Sequence, residues 1–259
     1  MSVHTNDKKY KLPDGNTIKE LFYPFTSSNS YIHAGREVVF KNKFTYTDYL
    51  KLRESRSYKN RKETSFIRDF ISEMTKNKED FEYIMCWLSK FFQTLRKSQE
   101  PVVLIGDFES SKTILFEEII KPIFGENFCC TINSQVLKEQ TLDKILENKI
   151  FYQIDSLPYF TTKTKKAKEF IFAITDDNTS LLSNNQDVYG EVLFTVKENL
   201  NDELKDSFYN KYKIIHINSS IKILSKLECR GSKFYNKIKD DLMNFSLILA
   251  TYNYKFYCY

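Results

Sequence analysis

The chain of 259 residues is 41% hydrophobic, enough to bury at least one sizeable core in units of roughly 100–150 residues, so a short disulfide-stapled scaffold is excluded. Aromatic residues are abundant (22 Phe, 17 Tyr, 1 Trp), whereas 6 Gly and 5 Pro fall well below average usage; tight turns are scarce, and a helix-rich or α/β protein is expected rather than an all-β one. Thirty-nine basic against 34 acidic side chains leave a net charge of +5, which permits attraction to nucleic acid without demanding it.

The five cysteines (Cys86, Cys129, Cys130, Cys229, Cys258) include no CxxC pair and only three His are present. Zinc-ligand spacing is therefore absent, and reduced thiols in a cytoplasmic compartment are expected. The first twenty residues lack an apolar signal-peptide core, and no run approaches the ~20 apolar residues of a membrane span. A soluble intracellular chain is expected, either whole or cut from something longer.

From Lys8 to Lys43 the pattern is irregular, with turn signals at Pro13-Asp14-Gly15 and Thr26-Ser27-Ser28-Asn29-Ser30 and a strand-like run at Glu37-Val38-Val39-Phe40. Residues 1–63 read as a loosely structured leading region. Within it the basic stretch KLRESRSYKNRK (51–62) fits a solvated face or linker better than a phosphate contact.

Helical periodicity then becomes clear. Phe66, Ile67, Phe70, Ile71 and Met74 form one stripe behind a capping Thr64-Ser65, and Phe81, Ile84, Met85, Leu88, Phe91, Phe92 and Leu95 form a second. Residues 64–100 are thus a helical unit, read on its own terms as a packed pair rather than a dedicated partner surface.

At Pro101 the texture changes to short apolar runs alternating with helical patterns. Val102–Ile105 precedes a helix through Ile114, Leu115, Ile119 and Ile120, and a weaker helix through Val136, Leu137, Ile145 and Leu146 precedes Ile150–Ile154. After an amphipathic stretch at Phe170, Ile171 and Ile174 come Val192–Val196 and Ile214–Ile217. Fully apolar strands alternating with helices predict a parallel α/β sheet covered on both faces, over residues 101–219. Residues 220–259 return to helix, chiefly from Lys233 to Tyr254.

Directly after the first apolar strand stands Gly106-Asp107-Phe108-Glu109-Ser110-Ser111-Lys112-Thr113. This is the phosphate-loop layout GxxxxGK[ST] in its strand–loop–helix setting, with Ser111 in place of the second glycine. The chemistry asks for backbone N–H groups aimed at phosphate, an ammonium for the outer phosphates and a hydroxyl for Mg²⁺. Lys112 and Thr113 supply the last two, while Ser111 puts a Cβ where the backbone must pass close to phosphate. About forty residues on, the strand Ile150–Ile154 ends in Asp155, placed as a nucleotide-binding sheet places the carboxylate that orients Mg²⁺. The next residue, where a second acid commonly polarises water, is Ser156.

Over residues 64 to 218 this layout resembles the superfamily 3 (AAA+-type) helicases, particularly the helicase-like C-terminal module of phage and plasmid primase-helicase and primase-polymerase proteins. The resemblance is carried by KEDFEYIMCWLSKFF, GDFESSKT, IFYQIDSLP, VLFTVKEN and DSFYNKYKIIHI. It implies an AAA+-like P-loop sheet flanked by helices, with residues 64–100 as an N-terminal collar-type helical unit, the oligomerisation unit in a ring of copies, and a C-terminal helix. It further implies ATP and Mg²⁺ held at Gly106, Ser111, Lys112, Thr113 and Asp155, with Thr113 and Asp155 facing the metal. The family's Thr-x-Asn sensor reads here as Thr195-Val196-Lys197 with Asn199 two residues late, and its arginine finger reads as Lys211.

The family contacts DNA through a hairpin projecting into a ring pore. The matching segment, TSLLSNNQDVYG, has Asn184 and Asn185 at its tip and no Lys or Arg, and the nearby Lys163, Lys165, Lys166 and Lys168 offer charge if they face the pore. The implied partners are single-stranded DNA, copies of the chain in a ring (a hexamer, as in the family) and a fused primase or polymerase domain. Ser111, Ser156, Lys197 and Lys211 each retain a motif's place while altering its chemistry; Lys211, for example, keeps a charge but loses the planar fork of arginine. Two functions follow: an ATP-driven helicase module of a phage or plasmid replication protein, or a hydrolysis-deficient ring scaffold that clamps DNA for an attached domain. A small-molecule kinase would need an Arg-rich lid, which is not seen after Asp155.

Overall fold

A computed structural model describes residues 6–11, 17–25, 31–33, 38–54, 62, 64–106, 111–139, 142–155, 190–196, 212–229 and 231–254. The leading region, expected to be loosely structured, contains a four-stranded sheet of β1 (Asn6–Lys11), β2 (Thr17–Leu21), β3 (Tyr31–His33) and β4 (Val38–Asn42) in the order β1-β2-β4-β3. Only β4 overlaps the strand-like run that hydropathy picks out; the β1 sequence NDKKYK is largely charged, and TIKEL in β2 shows no apolar alternation. The buried Asn42 side chain accepts from Tyr23 N–H (3.0 Å) and Phe44 N–H (3.0 Å) and donates to the Tyr23 carbonyl (2.8 Å). This satisfies the backbone where the chain leaves the sheet. A short helix, α1 (Asp48–Lys51), follows.

The expected helical pair is α2 (Phe66–Met74) and α3 (Lys78–Thr94). Ser65 caps α2 by accepting from Arg68 N–H, and Asn77 caps α3 by accepting from Asp80 N–H. The stripe residues Ile67, Phe70, Ile71, Ile84, Met85, Leu88, Phe91 and Phe92 are all buried. Leu95 ends α3 in the left-handed conformation (φ 52°), its N–H returning to the Phe91 carbonyl.

The central sheet has five strands, β5 (Val102–Ile105), β6 (Cys129–Ile132), β7 (Phe151–Asp155), β8 (Glu191–Val196) and β9 (Lys213–His216), in the order β6-β7-β8-β5-β9. Every pairing in it is parallel. One face packs Val102, Leu104, Phe151, Leu193 and Ile215 into the core shared with α2 and α3. The other packs Val103, Ile105, Tyr152, Ile154 and Phe194 against Leu137, Ile145 and Leu146. Both faces being covered is why these strands read as unbroken apolar runs. The architecture is the expected α/β P-loop-type sheet flanked by helices.

Strand β6 has no counterpart in the sequence reading, and the weaker helix behind it is two short ones, α6 (Ser134–Glu139) and α7 (Leu142–Leu146). Between β5 and β6 the chain is helical without interruption through α4 (Ser111–Ile114), a π-helical segment Leu115–Ile120 and α5 (Lys121–Phe124). Pro122 accounts for the wide turn. It has no N–H to return to Glu118 and its ring would press on that carbonyl in a regular helix, and the Lys121 N–H reaches back five residues to the Phe116 carbonyl instead.

The C-terminal segment forms α8 (Ser220–Lys226) and α9 (Ser232–Thr251). Helix α9 folds back on α2 and α3: Asp241 accepts from Ser65 Oγ (2.6 Å) and Ile67 N–H (2.9 Å), and Gln93 donates to the Leu249 and Tyr252 carbonyls (2.7 and 2.9 Å). Cys129, Cys130 and Cys229 are free, as expected, but Cys86 is disulfide-bonded, which corrects the reading of five reduced thiols; Cys258 lies outside the described residues. Among the described residues no helix is long and apolar enough to cross a membrane.

Candidate functional site

Parallel strands send their carboxyl ends to one edge of a sheet, and ligands of open α/β sheets bind at that edge. Here β8 lies between β5 and β7, with Ile105 opposite Val196 and Asp155 opposite Thr195. Gly106 and the carboxylate of Asp155 therefore stand at nearly the same level at the end of the sheet, one strand apart. The helix described from Ser111 on begins beside this edge, where the Lys112 side chain reaches the ends of β5 and β8.

Gly106 is held tightly. Its N–H donates to the Val196 carbonyl (3.2 Å), and a Cβ added to it would lie 2.5 Å from Ile217 Cγ1. The first glycine of the loop is thus fixed by the close approach of Ile217, the residue after β9. Ser111 is fully buried and does not have a positive φ. The conformational penalty expected of a Cβ there is absent; its hydroxyl makes a long contact (3.5 Å) to the Asn218 carbonyl.

Lys112 is the least expected feature. It is only 6% exposed, and its ammonium donates to the carbonyls of Gly106 (2.7 Å) and Val196 (2.9 Å). A buried ammonium requires such partners, and these belong to the ends of β5 and β8. The lysine expected to meet phosphate is fastened in this structure across the edge it would serve. Thr113, one residue on, is exposed.

Asp155 is exposed at the end of β7, and its Oδ1 accepts from the buried Thr195 hydroxyl at 3.1 Å. The same hydroxyl lies 3.4 Å from the Ile154 carbonyl. Sequence reasoning placed Thr195 only as the first letter of an altered sensor; the structure makes it the residue that orients Asp155. The signal that could have found it is the match of strand lengths, which sets the two residues opposite each other.

Gly106, Ser111, Lys112 and Asp155 are therefore brought to one edge, and Thr113 follows on the same helix with its side chain exposed. Residues 107–110, Lys163, Lys165, Lys166, Lys168, Asn184, Asn185, Lys197, Asn199 and Lys211 lie outside the described residues. Elsewhere on the sheet, burial pushes the Cys129 thiol up and that of Cys130 up to about 12, so neither is a ready nucleophile.

No protein-family profile and no curated protein matches the chain. Solved structures do. In fold, the chain is similar to the C-terminal region of NrS-1. An apo form A structure of that region aligns with TM-score 0.64 and 15% identity, covering 90% of this chain and 55% of that one. Two further apo structures of the same region align with TM-scores of 0.62 and 0.63 at 14% identity, each covering 90% of this chain and 54% of the other. This chain spans about half the length of these NrS-1 chains, and at such identity the likeness is one of fold.

Proposed function

We propose that the chain is the ring-forming, helicase-like module of a phage or plasmid DNA replication protein, binding nucleotide and single-stranded DNA. The observation that carries this is the convergence of Gly106, Lys112 and Asp155 at the carboxyl edge of a parallel sheet, with Thr195 orienting Asp155 and Thr113 next along the helix from Lys112. The donor set fits MgATP: a solvent-facing hydroxyl and carboxylate suit a hard cation that keeps several waters, and the start of the helix at Ser111 suits phosphate. Thr113 and Asp155 would hold Mg²⁺, and Lys112 with the loop from Gly106 would hold the phosphates. When bound, the cation would neutralise phosphate charge. Lys112 would have to exchange its two carbonyl partners for phosphate oxygens, and the carbonyls would then need water or another donor. Lys197, Asn199 and Lys211 are assigned as sensor and finger residues, the last acting on a neighbouring subunit. Asn184 and Asn185, with the lysines at 163, 165, 166 and 168, are assigned to the DNA pore. A primase or polymerase domain on the same protein completes this reading.

The inward-turned Lys112 supports a second reading. An ammonium already satisfied by two backbone carbonyls serves as a clip between β5 and β8, and the ring then acts as a scaffold that oligomerises and clamps DNA without hydrolysing ATP. The readings separate in one set of measurements: solution mass with and without MgATP and a short DNA strand, together with calorimetric titration of MgATP. Ring formation with millimolar or tighter MgATP binding, lost in Lys112→Ala, supports the first. Ring formation with no MgATP binding supports the second, and a monomer under all conditions overturns both.

A further inference from the structure

Away from the carboxyl edge, the turn between α2 and α3 faces α8 across an open cleft of about 520 Å³, a volume typical of ligand sites. Lys76, Lys78, Lys222 and Lys226 line it against a single acid, Glu73, a formal excess of three positive charges. Glu73 is taken by Lys226. Among the described residues Lys222 reaches only the Asn218 side-chain oxygen, at 3.4 Å. No ion pair joins Lys76 or Lys78 to an acid among the described residues. The acids of the first turn of α3, Glu79 and Asp80, are engaged outside the cleft by Lys213. Gathering like charges in one concavity costs electrostatic energy unless an anion joins them.

We infer that this cleft binds the phosphodiester backbone of a nucleic-acid strand, through residues other than those assigned above to the DNA pore. The cations are lysines on flexible stems around an open groove, floored by Phe81. Such point charges suit a line of phosphates that can shift in register, whereas a single phosphoryl group in a fixed pose is better met by arginine forks or a closed nest of N–H groups. The cleft also abuts the candidate nucleotide edge, since Asn218 lines it and offers its carbonyl to Ser111. Asn218 is itself fixed by donating to the Glu73 and Thr75 carbonyls (2.9 and 3.1 Å).

The test is binding of a fluorescent oligothymidylate across a salt series by the full chain, the triple variant Lys76→Ala, Lys78→Ala, Lys222→Ala, and the matching triple Arg variant. Lys226 is left in place to keep its ion pair. The Ala variant is expected to bind about tenfold more weakly near 0.1 M salt, with a slope of log affinity against log salt shallower by about 2, since each phosphate contact contributes about 0.7. The Arg variant, with unchanged melting temperature, is expected to bind within about twofold of the parent. An unchanged slope in the Ala variant overturns the proposal. So does a parallel titration in which the Ala variant loses inorganic pyrophosphate binding but keeps its strand affinity, because the ligand is then a small phosphate. The inference does not rest on the nucleotide reading: Lys112→Ala is expected to leave the slope untouched, so either can fail alone.

Discussion

The two ends of the central sheet both bury an ionisable side chain, and they treat it differently. At the amino end Glu191, 1% exposed, accepts from Ser98 N–H (2.7 Å), Ser98 Oγ (2.9 Å) and Val192 N–H (3.1 Å). Next to it Gly190 lets the Tyr152 ring lie flush with the backbone. At the carboxyl end Lys112 is buried just as firmly, but its partners are carbonyls bordering an exposed carboxylate and a helix start. The Glu191 contacts are made to its own neighbours, Ser98 and Val192, away from the carboxyl edge. The Lys112 contacts terminate at an edge where a ligand could replace them. Burial of a charge is thus no mark of function; the exposure of what stands beside it is more telling.

The largest effect is expected where the amino end admits no adjustment. A Cβ at residue 190 would sit 2.0 Å from Tyr152 Cε2, and Tyr152 is fully buried. Gly190→Ala should cost about 3 kcal/mol in urea unfolding, the upper range for overpacking. A loss below ~1 kcal/mol would mean that this end is looser than its packing indicates.

Lys112→Met keeps the apolar stem and removes the donor to two carbonyls. A cost of about 2 kcal/mol is expected, that of stranding buried acceptors. The same unfolding measurement in millimolar MgATP sharpens the contrast between the ends. Added nucleotide should stabilise the parent and not the variant if the lysine changes partners, and neither protein if it is only a clip.

How much of this was legible depended on whether the information was local. Strands β5, β7, β8 and β9 could be read because burial on both faces leaves unbroken apolar runs, and α2 and α3 because their stripes repeat at helical spacing. β6 could not, since Cys129-Cys130-Thr131-Ile132 is short and only its end residues are buried. The leading sheet was hidden because β2 pairs in parallel with β4 at a separation of 21 positions (Thr17 with Val38), and charged strands such as NDKKYK carry no face that announces a partner. That Lys112 and Asp155 stand at the same sheet edge was legible from the strand–loop–helix layout and from the end of the strand about forty residues on. The inward turn of Lys112 was not, because one of its acceptors, Val196, is 84 positions away.

A smaller effect, with a pH signature, is expected at Glu191. Burial raises its carboxyl pKa, and the hydrogen bonds from Val192 and Ser98 only partly oppose this. With the folded value above the unfolded one, Glu191's contribution to stability is full below the ordinary carboxylate range near ~4.3. It is lost as pH rises through the raised folded value, because the unfolded chain releases the proton first. Glu191→Gln should erase that fall, seen as a difference in unfolding free energy between parent and variant across pH 4 to 7. At low pH the variant should still be less stable, by about 1 kcal/mol, since its amide must point N–H groups at Ser98 N–H or Val192 N–H. A pH-independent difference would mean that the carboxyl is not shifted by folding.

The smallest effect on stability is expected at Thr195, and it bears most directly on the carboxyl end. Thr195→Val preserves shape and burial but removes the donor to Asp155 Oδ1. Because Asp155 is exposed, water can replace that bond, and the loss should stay under ~1 kcal/mol. At the amino end, removing one donor from the buried Glu191 network, as in Ser98→Ala, has no such relief and should cost more. If Thr195 orients the carboxylate for a cation, its loss should weaken Mg²⁺-dependent nucleotide binding on the order of tenfold, as removal of an outer-shell partner does elsewhere. Nucleotide binding in excess chelator should hardly change. Equal weakening with and without Mg²⁺ would assign Thr195 to the packing of β8 against β7 and would leave Asp155 without an argued role in holding the metal.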